Sequence, residues 1–166
     1  MSAKPLIALA AGGTGGHVFP AEALASVLLA RGYRLALITD RRGAAYGGTL
    51  GSLETFRIRA GGIAGRGKLA ALRSALELGL GILQARSLLK SIRPAAVVGF
   101  GGYASVPGMA AAALAGIPTA IHEQNAVLGR ANRLLAGRVG RIATSFAEVA
   151  HVDPRLAGKL VHTGMP

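Results

Sequence analysis

At 166 residues the chain suits one domain with a sizeable core, and 51% hydrophobic content with 25 glycines and few aromatics fits a layered α/β fold rather than a disordered or fibrous chain. The absence of cysteine excludes a disulfide framework and a thiolate metal site, and four histidines without an H-E-x-x-H pattern give no reason to expect any other metal site. A formal net charge of +12 calls for an anionic partner, with eight basic residues between Arg57 and Arg93 set against one acid, Glu77.

In chain order, the apolar run Leu6 to Ala11 predicts a first strand. A helix follows the glycines at 12–16 and runs to about Arg31, with Pro20 expected in its first turn and Gly32 ending it. Arg34 to Thr39 and Glu54 to Ile58 predict the next strands, with a short irregular helix among the glycines between them. A long helical pattern covers about Lys68 to Ser91, and Ala95 to Phe100 is a strand. Ser105 to Ala115 predicts an Ala-rich helix capped by Ser105, followed by a strand at Thr119 to His122. A short helix at Arg130 to Leu135 and strands at Arg141 to Ser145 and Leu160 to Thr163 complete the pattern. The uncharged stretch Pro94 to Ile121 is broken by glycines and prolines, so it parses as strand, turn, helix and strand rather than as a membrane span.

Strands alternating with helices, and apolar runs that are mostly continuous, predict a doubly wound parallel sheet of the Rossmann-like kind. In such a sheet ligands sit beyond the carboxyl ends of the strands. The loops at 12–17, 99–105 and 122–129 leave those ends, which places His17, Tyr103, His122, Glu123 and Asn125 around one crevice.

The first loop, Gly12-Gly13-Thr14-Gly15-Gly16-His17, is a backbone corner whose amides can converge on an anion at a helix N-terminus. Gly13 and Gly15 begin a dinucleotide fingerprint, but Val18 occupies its third glycine position; Asp40 keeps a nicotinamide reading open. A Walker loop fails because no Gly-Lys-Ser/Thr follows. His17, where the chain enters the helix, is placed to accept a proton from a sugar hydroxyl, and an imidazole with an ordinary pKa of about 6.5 suits that work near neutrality. Gly101, Gly102 and Tyr103 offer backbone freedom, a ring and a hydroxyl, while His122, Glu123, Gln124 and Asn125 put four hydrogen-bonding side chains at one strand end. Asn132 either braces that loop or reaches the ligand.

On the long basic helix, Leu69, Leu72, Leu76, Leu80 and Leu83 mark the expected core face. A second apolar stripe, Ala71, Ala75, Leu78, Ile82, Ala85 and Leu89, lies roughly opposite, with Lys68, Arg86 and Lys90 between the two. That second stripe is the expected membrane face, its leucines dipping into an anionic lipid surface beneath flanking cations. Nucleic acid is not expected as a partner, since no helix-turn-helix or zinc spacing is present and aromatics for base stacking are scarce.

Taken together, Gly12 to His17 with Pro20, Gly99-Phe100-Gly101-Gly102-Tyr103 with Ser105 and Pro107, and His122-Glu123-Gln124-Asn125 with Gly129 and Asn132 resemble the N-terminal domain of the MurG family of bacterial cell-wall N-acetylglucosaminyltransferases, over nearly the whole chain. The resemblance implies the N-terminal half of a GT-B fold, in which two Rossmann-like domains face each other across a cleft. It implies inverting transfer of GlcNAc from UDP-GlcNAc to the C4 hydroxyl of MurNAc in lipid I (undecaprenyl-pyrophosphoryl-MurNAc-pentapeptide), giving lipid II for peptidoglycan synthesis, with no cofactor or essential metal. Carried across, Thr14, Gly15 and Gly16 lie near the acceptor pyrophosphate and the donor. Gly101, Gly102 and Tyr103 bound the acceptor pocket, and Asn125 contacts a donor or acceptor sugar. His17 is the chosen general base, with Glu123 orienting His122 or the acceptor.

The family also implies peripheral docking on the cytoplasmic side of the inner membrane, alongside other cell-wall synthesis proteins. Where it usually reads Thr-Gly-Asn-Pro-Val-Arg, this chain reads Thr163-Gly164-Met165-Pro166. Residues 1–163 are thus expected to form the acceptor domain and 164–166 to begin an interdomain linker, the donor domain being absent and the isolated chain binding acceptor and membrane without turnover. The competing readings are a binding module, a transferase for another glycolipid, and an NAD(P)-binding domain.

Overall fold

The computed structural model describes residues 4–13, 15–41, 46–61 and 68–165, apart from the side chain of Lys68. Strands β1 (Leu6–Ala10), β2 (Arg34–Asp40), β3 (Glu54–Ile58), β4 (Ala96–Gly99), β5 (Thr119–Glu123), β6 (Arg141–Thr144) and β7 (Leu160–His162) pair in the order β3-β2-β1-β4-β5-β6-β7. Every pairing is parallel. Chain order reverses between β1 and β4, and this switch point opens a crevice at the carboxyl ends of those strands. The expected Rossmann-like architecture is the one observed.

Strand side chains alternate between the two faces. Leu9, Leu35 and Leu37 face α1 (Gly15–Ala30) and α2 (Gly48–Gly51), forming a core with Ala21, Ala25, Leu50 and Phe100. Ala8, Ala10, Ile38, Val97, Ile121 and Ile142 face the opposite layer of α3 (Lys68–Ile92), α4 (Gly102–Leu114) and α5 (Arg130–Ala136). A 3₁₀ turn at Pro154–Lys159 leads into β7.

The glycine corners differ from expectation at their helix starts. α1 begins at Gly15, so Pro20 lies beyond the first turn and removes the bond to the Gly16 carbonyl. α4 begins at Gly102 rather than Ser105, because Gly101 and Gly102 at φ of 85° and 70° turn the chain straight from β4 into the helix. Ser105 is therefore inside the first turn, and its hydroxyl donates back to the Gly102 carbonyl at 3.0 Å instead of capping.

The two stripes of α3 are reversed. Ala85 and Leu89 are buried, and Leu78 and Ile82 pack against the same core, so from Leu78 onward the expected membrane face is the core face, while Ala71 and Ala75 of the same stripe are exposed. Leu69, Leu72, Leu76, Leu80 and Leu83, expected inside, are 81%, 58%, 59%, 45% and 63% exposed. The reason is the close approach to α3 of the backbone that follows β3, with α4 beside it. A β-carbon on Gly81 would stand 2.0 Å from the Arg59 carbonyl oxygen and 3.2 Å from the Pro107 β-carbon. An approach that close admits the face carrying Gly81 and Ala85 and leaves the leucine-rich face outside. Among the described residues, no helix is long and apolar enough to cross a membrane.

Candidate active site

A cavity of about 370 Å³ opens at the switch point, lined by His17, Gly101, Gly102, Tyr103, Glu123, Asn125, Gly129, Arg130, Ala131 and Asn132. It gathers side chains from the first turn of α1, the corner before α4, the loop after β5 and the start of α5. Thr14 lies outside the described residues; Gly15 and Gly16 are exposed at the start of α1 beside His17.

His17 is half-buried, and its Nδ1 is 2.9 Å from the carbonyl oxygen of Phe100. A carbonyl only accepts, so the shared hydrogen belongs to Nδ1 and the lone pair of the neutral ring sits on Nε2. The glycine corner packs against this ring. A β-carbon on Gly101 would lie 3.2 Å from its Cε1, and one on Gly102 would lie 3.2 Å from its Cδ2. The glycines thus serve the turn and the close approach together.

Glu123 is 1% exposed and carries no cation partner within the described residues. Its Oε1 accepts from the Asn125 backbone N–H at 3.0 Å and from Asn125 Nδ2 at 2.9 Å. Its Oε2 accepts from the Gly129 N–H and from Asn132 Nδ2, each at 2.8 Å. Four N–H donors thereby occupy both oxygens, and Glu123 folds the 124–129 loop; the expectation of a catalytic Glu123 is revised to that of a loop anchor. Asn132, 2% exposed, also donates to the His122 carbonyl at 3.1 Å, while its Oδ1 is a buried acceptor without a partner among the described residues. The brace is therefore shown for Asn132.

His122 parts company with the others. Neighbouring strand positions point to opposite faces, so His122 turns away from the cavity that Glu123 lines. It lies 6.0 Å from the Phe100 ring and 3.4 Å from Ser145 Oγ, lining an apolar groove of about 300 Å³ between α1 and the sheet. Burial pushes its pKa below the ordinary histidine value, with the neighbouring Glu123 charge opposing. His122 therefore lies outside the crevice, which corrects its expected place there.

One lining residue was not singled out from the sequence, and Gln124, named there only within the polar cluster after β5, takes part through His17 rather than by lining the cavity. Arg130 brings a guanidinium to the cavity rim, and its signal was its place between Gly129 and Asn132. Gln124 reaches His17, as described below. Among the described residues no group of three or more His, Asp or Glu side chains could hold a metal ion.

Residues 7–144 match the glycosyltransferase family 28 N-terminal domain. The chain belongs to that family. It is 89% identical over 163 residues to a UDP-N-acetylglucosamine–N-acetylmuramyl-(pentapeptide) pyrophosphoryl-undecaprenol N-acetylglucosamine transferase of Paramagnetospirillum magneticum, covering 98% of this chain and 44% of the relative. A relative of the same name from Rhodospirillum rubrum is 64% identical, with 96% of this chain and 41% of the relative covered. The crystal structure of Acinetobacter baumannii MurG superposes with a TM-score of 0.77 at 30% identity, over 98% of this chain and 46% of that one. This family 28 chain thus spans less than half the length of the relatives it matches.

Proposed function

We propose that this family 28 domain holds the lipid-linked acceptor of a UDP-GlcNAc-dependent transferase. On this reading the whole protein moves GlcNAc to the C4 hydroxyl of MurNAc in lipid I, and the nucleotide sugar is held largely by the part of the protein beyond these residues. The observation that carries the proposal is His17, whose Nδ1 is tied to the Phe100 carbonyl so that Nε2 is free as a base in a cavity bordered by the starts of α1 and α4. Helix starts present unpaired N–H groups and a positive dipole end, which suits an acceptor diphosphate, and Arg130 adds a cation.

The step balances simply. The C4 oxygen forms a bond to the anomeric carbon, its proton passes to His17 Nε2, and the bond from the anomeric carbon to the UDP oxygen breaks, inverting the centre. The imidazolium then returns its proton to solvent. Asn132 Oδ1 takes a sugar hydroxyl, Tyr103 and Asn125 border the sugar, and Glu123 keeps the loop in place.

The same reading docks the protein peripherally on the cytoplasmic face of the membrane through the exposed leucines of α3. Arg86 and Lys90, exposed on the same helix, meet anionic head groups. Helices in an all-parallel sheet run against the strands, so α3 begins at the edge that holds the cavity, and a lipid-linked acceptor needs that proximity. The test is GlcNAc transfer to a lipid I analogue by a protein of the relatives' full length bearing this sequence. His17→Ala is expected to lower kcat by about 100-fold or more. Transfer at an unchanged rate would remove His17 as the base.

A further inference from the structure

The geometry points to Gln124 as a positioning residue that fixes the tautomer and angle of His17; this rests on the reading of His17 as the proton acceptor. Gln124 follows Glu123 at the end of β5, and the structure places the Nε2 end of its carboxamide 2.5 Å from His17 Nδ1. The hydrogen on Nδ1 is already required by the Phe100 carbonyl at 2.9 Å. An amide NH₂ facing that N–H would set donor against donor. The carboxamide orientation that satisfies the hydrogen presents Oε1 to the ring.

His17 Nδ1–H is then shared between two neutral acceptors from different elements, the Phe100 carbonyl after β4 and Gln124 after β5. Together they set the ring against Gly101 and Gly102 and keep the Nε2 lone pair available. Once Nε2 has taken the acceptor's proton, both remain as partners of the imidazolium. A neutral amide orients the ring without placing a carboxylate beside a diphosphate-bearing substrate. Glu123, the other acid-derived group of this loop, is consumed by its four N–H donors and faces away from this task. Gln124 touches no reacting atom, so its part is to position.

The experiment is long-range ¹H–¹⁵N NMR of His17 in the 166-residue chain, well above pH 6.5, for wild type, Gln124→Ala and Gln124→Glu. Dispersed amide spectra establish that each variant folds. Wild type is expected in the Nδ1–H form. Gln124→Ala should raise the Nε2–H fraction several-fold, and Gln124→Glu should retain the Nδ1–H form. In the full-length protein, Gln124→Ala should lower kcat about tenfold or more with little change in KM, because the wrong tautomer removes the base. Gln124→Glu should recover most of kcat and move the acid limb of the pH profile upward. An Nε2–H ring in wild type, or a tautomer unmoved by Gln124→Ala, overturns the assignment. A tautomer shift with kcat unchanged keeps Gln124 as the ring's orienter and overturns His17 as the base.

Discussion

The reversed stripes of α3 give a double dissociation between membrane binding and stability. Leu72 and Leu76 are 58% and 59% exposed, so Leu72→Ser with Leu76→Ser removes little that the folded chain buries. The expected stability change is within about 0.5 kcal/mol per site. Fully burying a leucine yields about 1.5–3 kcal/mol, so covering the exposed part of each with acyl chain yields roughly 1–2 kcal/mol. At about 1.4 kcal/mol per tenfold, the pair should weaken partitioning onto anionic vesicles by about 30-fold or more. Leu78→Ser with Ile82→Ser should behave oppositely, since both side chains pack on the core: the domain loses several kcal/mol and melts early. Vesicle sedimentation and thermal unfolding on the same preparations read both quantities. Undiminished vesicle binding by the Leu72/Leu76 pair, or a stable Leu78/Ile82 pair that no longer binds, would rule out the outer leucines of α3 as the membrane face.

Three further outcomes follow from the site. Gly102→Ala places a β-carbon at φ of 70° and 3.2 Å from the His17 ring, so thermal unfolding should show a loss of about 1–2 kcal/mol and the His17 ring resonances should move. Glu123→Gln turns one acceptor oxygen toward N–H groups as a donor; chemical denaturation should register about 1–3 kcal/mol, and hydrogen exchange at the Gly129 and Asn125 amides should quicken. His122 has a lowered folded pKa, so below about pH 6.5 the unfolded chain binds the extra proton first. Stability is accordingly full above that pH, falls as pH drops, and stops falling below the lowered folded value; urea midpoints measured against pH should show this slope, and His122→Asn should flatten it.

Most of the sheet was legible because a parallel sheet buried on both faces needs continuous apolar runs, and Leu6 to Ala10 and Arg34 to Asp40 supply them between glycine corners. The crevice was legible for a topological reason: His17, Tyr103 and Asn125 follow strands, and strand ends share one edge. Two things were not. Bulk is the usual guide to a helix's inner face, but on α3 the inner face was chosen by how closely the backbone after β3 and α4 approach it, a property of the packing that the helix does not show alone. The parting of His122 from Glu123 depended on the register of β5, and a strand end followed by polar residues does not reveal which of them faces the crevice. The fine wiring of Gln124 onto His17 joins positions far apart in sequence and has no local signal at all.

On the proposed function, the cavity around His17 receives the diphosphate-sugar end of the acceptor. Titrating a short-chain lipid I analogue into ¹⁵N-labelled chain tests it most directly. Saturable shifts are expected at Gly15, Gly16, Gly101 to Tyr103, Asn125 and Asn132, with clearly weaker binding by His17→Ala. Shifts confined to the groove beside His122 or to the basic end of α3, with His17→Ala binding like wild type, would contradict the proposed function.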